Sequence, residues 1–151
     1  MKIAIGSDHA GFELKEHIKQ FLETRDISIK DVGVYSLDRA DYPDLAVKVA
    51  RAVSTKDCDK GILICGSGIG VSIAANKIKG IRAALCHDAY CAKMAREHND
   101  ANIVALGARV IGPGQAEMIV DTFLNTKFAK GRHAARVEKI MNIENIDDNK
   151  Y

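Results

Sequence analysis

The chain has 151 residues, 47% of them hydrophobic, which is enough for the core of one ordinary domain and too little for two. Its 22 basic and 20 acidic residues give a formal net charge of +2 and are scattered along the chain, without the basic stripe that nucleic-acid binding needs. We therefore expect one domain over residues 1–151, no nucleic-acid partner, and a small, local site for any anion that binds.

The sequence also argues against a membrane protein, a secreted protein and a zinc protein. No run approaches the roughly 18 apolar residues of a membrane span, and the start 1–6 turns polar too early for a signal peptide. The four cysteines, Cys58, Cys65, Cys86 and Cys91, lack CxxC spacing and the density of a disulfide scaffold. We therefore expect a cytoplasmic protein with reduced thiols, no metal and no membrane partner.

Apolar runs alternate with helical patterns along the whole chain. Five runs have the length of strands, at residues 2–5, 28–32, 61–65, 81–86 and 102–106. Helical patterns follow at 14–22, 46–53, 71–78, 88–98 and 114–125, and a last helix is expected from about Arg132 to Ile146, before a polar end that frays. The alternation predicts an α/β fold: three layers, doubly wound and Rossmann-like, with a five-stranded, mainly parallel sheet and a C-terminal helix.

Polar residues follow three of the predicted strands at their carboxyl ends, where open parallel sheets bind ligands. Asp8 and His9 follow the first strand, Cys65 ends the third, and Arg109 follows the fifth. Because the carboxyl ends of parallel strands meet at one edge of a sheet, we expect these residues to converge on one crevice.

The loop Gly66–Gly70 has glycine at every second position, which permits positive φ and lets backbone N–H groups approach an anion closely. Its spacing is neither GxGxxG nor that of a P-loop, which disfavours a nucleotide cofactor. A tight strand-to-helix turn without a ligand is the alternative. Cys65, just before the loop, would by default be a buried core thiol. Beside N–H donors and a helix N-terminus, however, a thiol can serve as a base or nucleophile.

Two further patterns lie on predicted helices. Arg132 and Arg136 are four residues apart, so they share one helix face and repel each other unless an anion such as phosphate lies between them. A solvated basic face is the alternative. His98 and Asn99 end a helical stretch, where a histidine followed by an Asn cap is common without any catalytic role. The other histidines with no assignable role are His17, His87 and His133.

Five motifs in this order and spacing resemble the ribose-5-phosphate isomerase type B family, which is related to the galactose-6-phosphate isomerase subunits. They are Gly6-Ser7-Asp8-His9-Ala10-Gly11, Asp41-Tyr42-Pro43-Asp44, Cys65-Gly66-Ser67-Gly68-Ile69-Gly70, Glu97-His98-Asn99-Asp100-Ala101-Asn102 and Gly131-Arg132-His133. The resemblance covers essentially the whole chain, and its motifs include the polar strand-end residues described above.

The resemblance implies an enzyme of the pentose phosphate pathway, a cofactor-independent intramolecular oxidoreductase that interconverts D-ribose 5-phosphate and D-ribulose 5-phosphate through a cis-enediolate. Cys65 would be the base between C2 and C1, since the branch of the family that uses a glutamate after the glycine loop differs from this chain, which has Val71 there. Ser67 would exchange protons between O1 and O2. The enediolate charge would be stabilised by the amides of Gly66, Ser67, Gly68, Ile69 and Gly70.

The resemblance also implies binding roles. His98, assisted by Asp8, would open the furanose ring, Asn99 would hold sugar hydroxyls, and Tyr42 would wall the pocket. Phosphate would be bound by His9, Arg109, Arg132 and Arg136. Two subunits would build each site, with His98, Asn99 and Arg109 from the partner chain. We therefore expect a homodimer, which can pair further into a tetramer.

Two alternative functions stay open from the sequence. One is an isomerase for a six-carbon substrate, allose or galactose 6-phosphate, although the galactose subunits usually split or lose parts of the Cys65 and His98 set that this chain has. The other is a non-catalytic sugar-phosphate sensor, which would keep Arg132 and Arg136 but have no use for a base at Cys65.

Overall fold

The apolar runs of the sequence form the strands of one sheet in the computed structural model, which describes residues 1–145. The strands are β1 (Lys2–Ser7), β2 (Ser28–Asp31), β3 (Lys60–Cys65), β4 (Ala83–Leu85) and β5 (Ile103–Gly107). The helices are α1 (Phe12–Glu23), preceded by a 3₁₀ turn at His9–Gly11, α2 (Tyr42–Ser54), α3 (Ile69–Ala75), α4 (Ala89–Asn99), α5 (Pro113–Asn125) and α6 (Arg132–Ile143). The predicted α/β class and the alternation of elements are confirmed.

The sheet has the strand order β2-β1-β3-β5-β4, and all four neighbouring pairs are parallel. The chain passes from β1 to β2 on one side and then crosses back to β3 on the other side of β1, so the direction of winding reverses between β1 and β3. In doubly wound sheets this reversal opens a crevice at the carboxyl ends of the two strands concerned. The register pairs Ser7 with Ile64 and Cys65 with Gly107, so the ends of β1, β3 and β5 are level.

Each strand of the sheet centre is buried on both faces, which explains why β3 reads as a continuous apolar run. Ile62 and Ile64 pack in one core with α1, α4 and α5, whereas Leu63 and Cys65 pack in the other core with α2 and α3. Burying one Ile or Leu side chain contributes about 1.5–3 kcal/mol to the free energy of unfolding. The two cores hold the ends of β1, β3 and β5 in fixed positions.

Most observed boundaries differ from the predicted ones by one to four residues, including those of α3, β4 and α6. Helix α3 begins at Ile69 rather than Val71, because Gly68 takes a left-handed conformation, with φ of 79°, and turns the chain directly into the helix. Strand β4 is limited to three residues, since it pairs with β5 along Ala83–Leu85 only. Helix α6 ends at Ile143, with Glu144 as its C-cap, and so stops before the predicted end at Ile146; Ile146 and the polar tail lie outside the described residues.

Helix α6 is added to the outside of the three layers, where it packs against α4. Its last turn is tied to the loop before β4, since the Glu144 carboxylate accepts the N–H of Gly80 at 2.9 and 3.1 Å. In residues 1–145 no helix has the length and apolar character needed to cross a membrane. All four cysteines are free thiols, three of them buried and Cys91 exposed.

Candidate active site

A crevice of about 680 Å³ lies at the level ends of β1, β3 and β5. Its lining comprises Asp8, His9, Ala10, Tyr42, Cys65, Gly66, Ser67, Ile69, Gly70, Ile73, Arg109 and Val110. The convergence predicted from the strand ends is therefore observed within one chain. A larger groove of about 780 Å³ runs along the open edge of β4, but its lining is mostly apolar and includes neither Cys65 nor the glycine loop.

Cys65 is the last residue of β3 and is only 5% exposed. Its Sγ atom lies 3.1 Å from the backbone nitrogen of Gly68, which donates a hydrogen bond to it. The sulfur atom therefore has a fixed place at the crevice, where a cysteine can act as a base or nucleophile. The thiol thus lies in the crevice wall and is also held by the turn that follows it.

The glycine loop is shaped by close backbone contacts. A Cβ atom at Gly68 would lie 2.5 Å from Leu85 Cδ1 and 2.9 Å from the carbonyl carbon of Leu106, and the positive φ there independently favours glycine. The turn starts α3 inside the crevice, so the first-turn N–H groups of Gly70 and Val71 have no carbonyl of their own helix to bind. Of these two residues Gly70 lines the crevice, so its N–H group can stabilise an anion that forms beside Cys65.

Tyr42 forms the opposite wall of the crevice. It is the first residue of α2, is 40% exposed, and lays its ring over Gly70 so closely that a Cβ atom there would lie 2.6 Å from Tyr42 Cε2. Gly70 is therefore needed for the approach of the ring to the loop. The predicted role of Tyr42 as a wall agrees with this placement.

Asp8 and His9 occupy the turn after β1. Asp8 is 7% exposed, and its carboxylate accepts the N–H of Gly11 at 3.0 Å, which caps the 3₁₀ turn. Asp8 thus has a structural contact as well as a place in the crevice lining. The N–H of Ala40 points at His9 Nδ1 over a long 3.5 Å contact, and a neutral ring accepting at Nδ1 carries its proton on Nε2, where it can donate to an anion.

Arg109 lines the crevice of its own chain, which differs from the expectation that it reaches the site from a partner. The reason is that the pairing of β5 with β3 continues past the strand ends: Ala108 N donates to Cys65 O at 2.8 Å and Arg109 N to Gly66 O at 3.0 Å. The Arg109 side chain lies against Gly66, with Cδ 3.5 Å from the position of an added Cβ. Its guanidinium is therefore beside the glycine loop.

The remaining predicted site residues form a second group, away from this crevice. His98 and Asn99 end α4, while Arg132 and Arg136 lie on the first two turns of α6, and none of the four lines the crevice described by residues 1–145. Asn99 instead lines the groove at the β4 edge. Because α6 packs on α4, the two arginines lie on the same side of the molecule as His98. The chain therefore divides the predicted site into two groups.

His133 joins the second group, although the sequence indicated no role for it. Its ring stacks on that of His98 with centroids 4.2 Å apart and planes within 6° of parallel. Burial lowers the pKa of His133 below its ordinary value of 6.5, and the charges of His98, Arg132 and Arg136 lower it further. The α4–α6 surface is thus a cluster of two stacked imidazoles and two guanidinium groups.

Arg82 and Arg96 hold the end of α4 in place, a function that sequence reasoning missed. Arg82 Nε donates to the carbonyls of Asn99 and Asp100, both at 3.0 Å, and Arg96 Nη1 donates to the Asp100 carboxylate at 2.9 Å. Asp100 ends the helix in a left-handed conformation with φ of 45°. The i,i+4 spacing of Arg96 and Asp100 in the sequence could have indicated their contact, whereas nothing in the sequence indicates the contacts of Arg82.

The other two unassigned histidines have protein partners. His87 Nε2 lies 3.1 Å from the carbonyl oxygen of Ser67 and so supports the glycine loop from behind. His17 Nε2 lies 2.7 Å from a carboxylate oxygen of Glu117, which joins α1 to α5. Sequence reasoning also missed Ile73 and Val110, two apolar residues of the crevice rim that are 56% and 54% exposed.

A family model described as Ribose/Galactose Isomerase matches residues 3–140. The chain belongs to this ribose/galactose isomerase family. It is 50% identical over 143 residues to ribose-5-phosphate isomerase B of Escherichia coli, covering 95% of this chain and 96% of that one. It is 45% identical over 144 residues to the D-erythrulose-4-phosphate isomerase of Pectobacterium atrosepticum, covering 93% of each chain.

The fold agrees with the same family. The solved structure of Clostridium thermocellum ribose-5-phosphate isomerase B superposes with a TM-score of 0.95 at 56% sequence identity, covering 96% of this chain and 98% of that chain. The resemblance read from the five sequence motifs is confirmed. Within residues 1–145 no group of three or more His, Cys, Asp or Glu side chains is placed to hold a metal ion.

Proposed function

We propose that this isomerase-family chain interconverts D-ribose 5-phosphate and D-ribulose 5-phosphate without a metal or organic cofactor. The observation that carries the proposal is the Cys65 thiol, which lies in the crevice lining beside a loop of N–H donors. Family membership and the E. coli relative that bears this activity in its name support it.

The reaction needs only proton transfers, which the crevice residues can supply. With open-chain ribose 5-phosphate bound, the Cys65 thiolate removes the proton on C2, and the electron pair forms the C1–C2 double bond of the enediolate. The N–H group of Gly70, in the crevice lining, stabilises the negative oxygen. The Ser67 hydroxyl passes a proton from O2 to O1, and the Cys65 thiol returns its proton to C1, which leaves a ketone at C2.

We further propose that a second copy of the chain completes each crevice. Ring opening requires an acid-base group, and phosphate binding requires more hydrogen-bond donors than His9 and Arg109 supply. The groups suited to both tasks, His98, Arg132 and Arg136, lie outside the crevice of their own chain. The rim residues, Ile69, Ile73 and Val110, are each at least half exposed, as expected of an apolar surface that a partner covers.

A two-fold dimer would place the α4–α6 surface of each chain over the crevice of the other, since such interfaces repeat each contact twice. His98, Asn99, Arg132 and Arg136 would then come from the partner, while Arg109 would stay with the crevice. Further pairing of dimers into a tetramer is still an expectation. The proposed location is the cytoplasm, because a catalytic free thiol persists best in a reducing compartment.

The substrate is tested by measuring ketose or aldose formation with ribose 5-phosphate, allose 6-phosphate, galactose 6-phosphate and D-erythrulose 4-phosphate, each with and without a chelator. The last sugar is included because of the Pectobacterium relative. We expect the highest kcat/KM for ribose 5-phosphate and no effect of the chelator. Binding of the four sugar phosphates without turnover would identify a sensor. A higher kcat/KM for a six-carbon or four-carbon sugar phosphate would show that ribose 5-phosphate is not the preferred substrate.

The shared site is tested by mixing two inactive variants, Cys65→Ala and His98→Asn, after unfolding and joint refolding. If each site takes these residues from different chains, half of the random dimers carry one intact site, and about a quarter of the wild-type activity returns. If both residues of a site came from one chain, no dimer would contain an intact site and the mixture would stay inactive. Each variant refolded alone is the control.

A further inference from the structure

The imidazole of His98 is oriented by a ring and not by a hydrogen bond. His133, a residue of α6, covers one face of it at 4.2 Å in a nearly parallel stack, and the His133 side chain is itself buried, with 9% exposed. Within residues 1–145, neither ring nitrogen of His98 has a hydrogen-bond partner. The stack therefore sets the plane of the His98 ring and leaves both nitrogens on its edge accessible to a ligand.

We propose that His133 is a positioning residue for ring opening: its stacked ring holds His98 in the plane from which His98 exchanges protons with the ring oxygen and the C1 hydroxyl of a cyclic sugar phosphate. The inference rests on the proposed function, in which ring opening precedes the enediolate step. His133 itself makes no contact with the sugar in this arrangement.

The charges around the stack suit this role. The groups that face His133 are His98 and Glu97 on α4 and Arg132 and Arg136 on α6; all but Glu97 lower its pKa, with burial as the largest cause, so that it is uncharged near pH 7. A neutral ring stacks favourably on both states of His98, as an aromatic pair when His98 is neutral and as a cation–π pair when it is charged. Two charged rings at 4.2 Å would repel each other.

Ring opening requires His98 to pass through both protonation states, because it takes a proton from the C1 hydroxyl and gives one to the ring oxygen, with no net change in protons. A partner that kept a fixed charge would favour one of these states. Neutral His133 provides an aromatic surface for both, which a carboxylate or a guanidinium group in its place could not do.

Two substitutions separate the aromatic surface from other roles of His133. His133→Phe keeps a ring for stacking but has no nitrogen, and His133→Ala removes the ring. In ligand-free protein, the NMR signal of the His98 Cε1 proton reports the stack, since a neighbouring ring shifts it upfield. We expect this shift to persist in His133→Phe and to disappear in His133→Ala. His17→Ala is the matched control, a histidine lost from α1 with no contact to His98.

Kinetics then distinguish positioning from general damage. Solvent deuterium exchange at C1 of ribulose 5-phosphate reports the Cys65 step alone, because that ketose needs no furanose opening. We expect His133→Ala to slow ribose 5-phosphate conversion about tenfold or more, the usual effect of loosening a catalytic group, while C1 exchange changes about twofold or less. His133→Phe should restore conversion to within a few-fold of wild type.

Equal losses of conversion and C1 exchange in His133→Ala would overturn the inference, as would unchanged conversion, or a His133→Phe variant that keeps the NMR shift yet is as slow as His133→Ala. Failure of the proposed function looks different. In that case the wild-type protein itself would not convert ribose 5-phosphate, while the NMR comparison would still show whether His133 sets the orientation of the His98 ring.

Discussion

Replacing Lys15 with Met should destabilise the fold far more than the same change at Lys19, one turn further along α1. Lys15 is 0% exposed, although it lies on a helix, and its Nζ donates to both carboxylate oxygens of Asp31 at 3.0 and 2.8 Å and to Val34 O at 2.7 Å. Lys19 also pairs with Asp31 at 2.8 Å, but its side chain is 23% exposed. The two lysines therefore bind the same carboxylate but differ in how far their side chains are exposed to solvent.

The magnitude follows from these contacts. Removing one partner of a buried ion pair costs about 3–5 kcal/mol of unfolding free energy, and an orphaned carbonyl such as Val34 O is part of that cost. Asp31 would keep Lys19 and the N–H of Gly33 at 2.9 Å, so we expect the lower end, about 3 kcal/mol. For a chain of 151 residues this corresponds to a fall in Tm of about 6–12 °C. Lys19→Met should cost about 1 kcal/mol or less.

Urea unfolding of the wild type and both variants at pH 7 measures the difference, at one fixed protein concentration because subunit association contributes to stability. The reasoning is refuted if Lys15→Met and Lys19→Met lose equal stability. It is also refuted if Lys15→Met is as stable as wild type, because the buried ion pair would then contribute no more than a well-packed Met side chain.

Three other predictions concern the site and the surface. Cys65→Ala should abolish isomerisation while an analogue of ribose 5-phosphate still binds within a few-fold; near-normal turnover would exclude Cys65 as the base. Arg136→Ala should raise KM for ribose 5-phosphate about tenfold or more and hardly change that for unphosphorylated ribose, and equal effects on both sugars would argue against a phosphate contact. Hydrogen bonds from Lys2 and Lys30 lower the pKa of Asp57 from 3.8 to about 2, so the folded state favours its carboxylate. The Tm advantage of wild type over Asp57→Asn should therefore be complete above pH 4 and be lost as the pH falls through about 2; a constant difference in thermal melts over that range would contradict the pairing.

Local patterns were enough to predict the crevice but not the surface that complements it. Asp8, Cys65 and Arg109 lie at or within two residues of a strand end, and parallel pairing aligns strand ends, so their convergence needs no knowledge of distant contacts. The docking of α6 on α4 depends on side chains distant in the sequence. The helical spacing of Arg132 and Arg136 therefore indicated a shared helix face but not its proximity to His98.

Buried polar residues were the other limit of sequence reasoning. Lys15 lies beside Leu14 on α1, and a lysine within an amphipathic helix is normally taken as exposed. Its burial depends on Asp31 at the end of β2, a pairing across 16 positions that periodicity does not reveal. The stacking of His133 on His98 joins residues 35 positions apart for the same reason.

The glycine loop has a consequence for resistance to inhibitors. A compound that takes its hydrogen bonds from the first-turn amides of α3 would bind atoms that every amino acid except proline carries, so side-chain substitutions there would not remove them. At Gly68 the close contacts of the loop, and its positive φ, also oppose replacement. Resistant variants should instead arise at the exposed rim, at Tyr42, Ile73 and Val110. A compound that contacts only the loop and the Cys65 thiol would touch few of these rim residues, so substitutions there would have little effect on its binding.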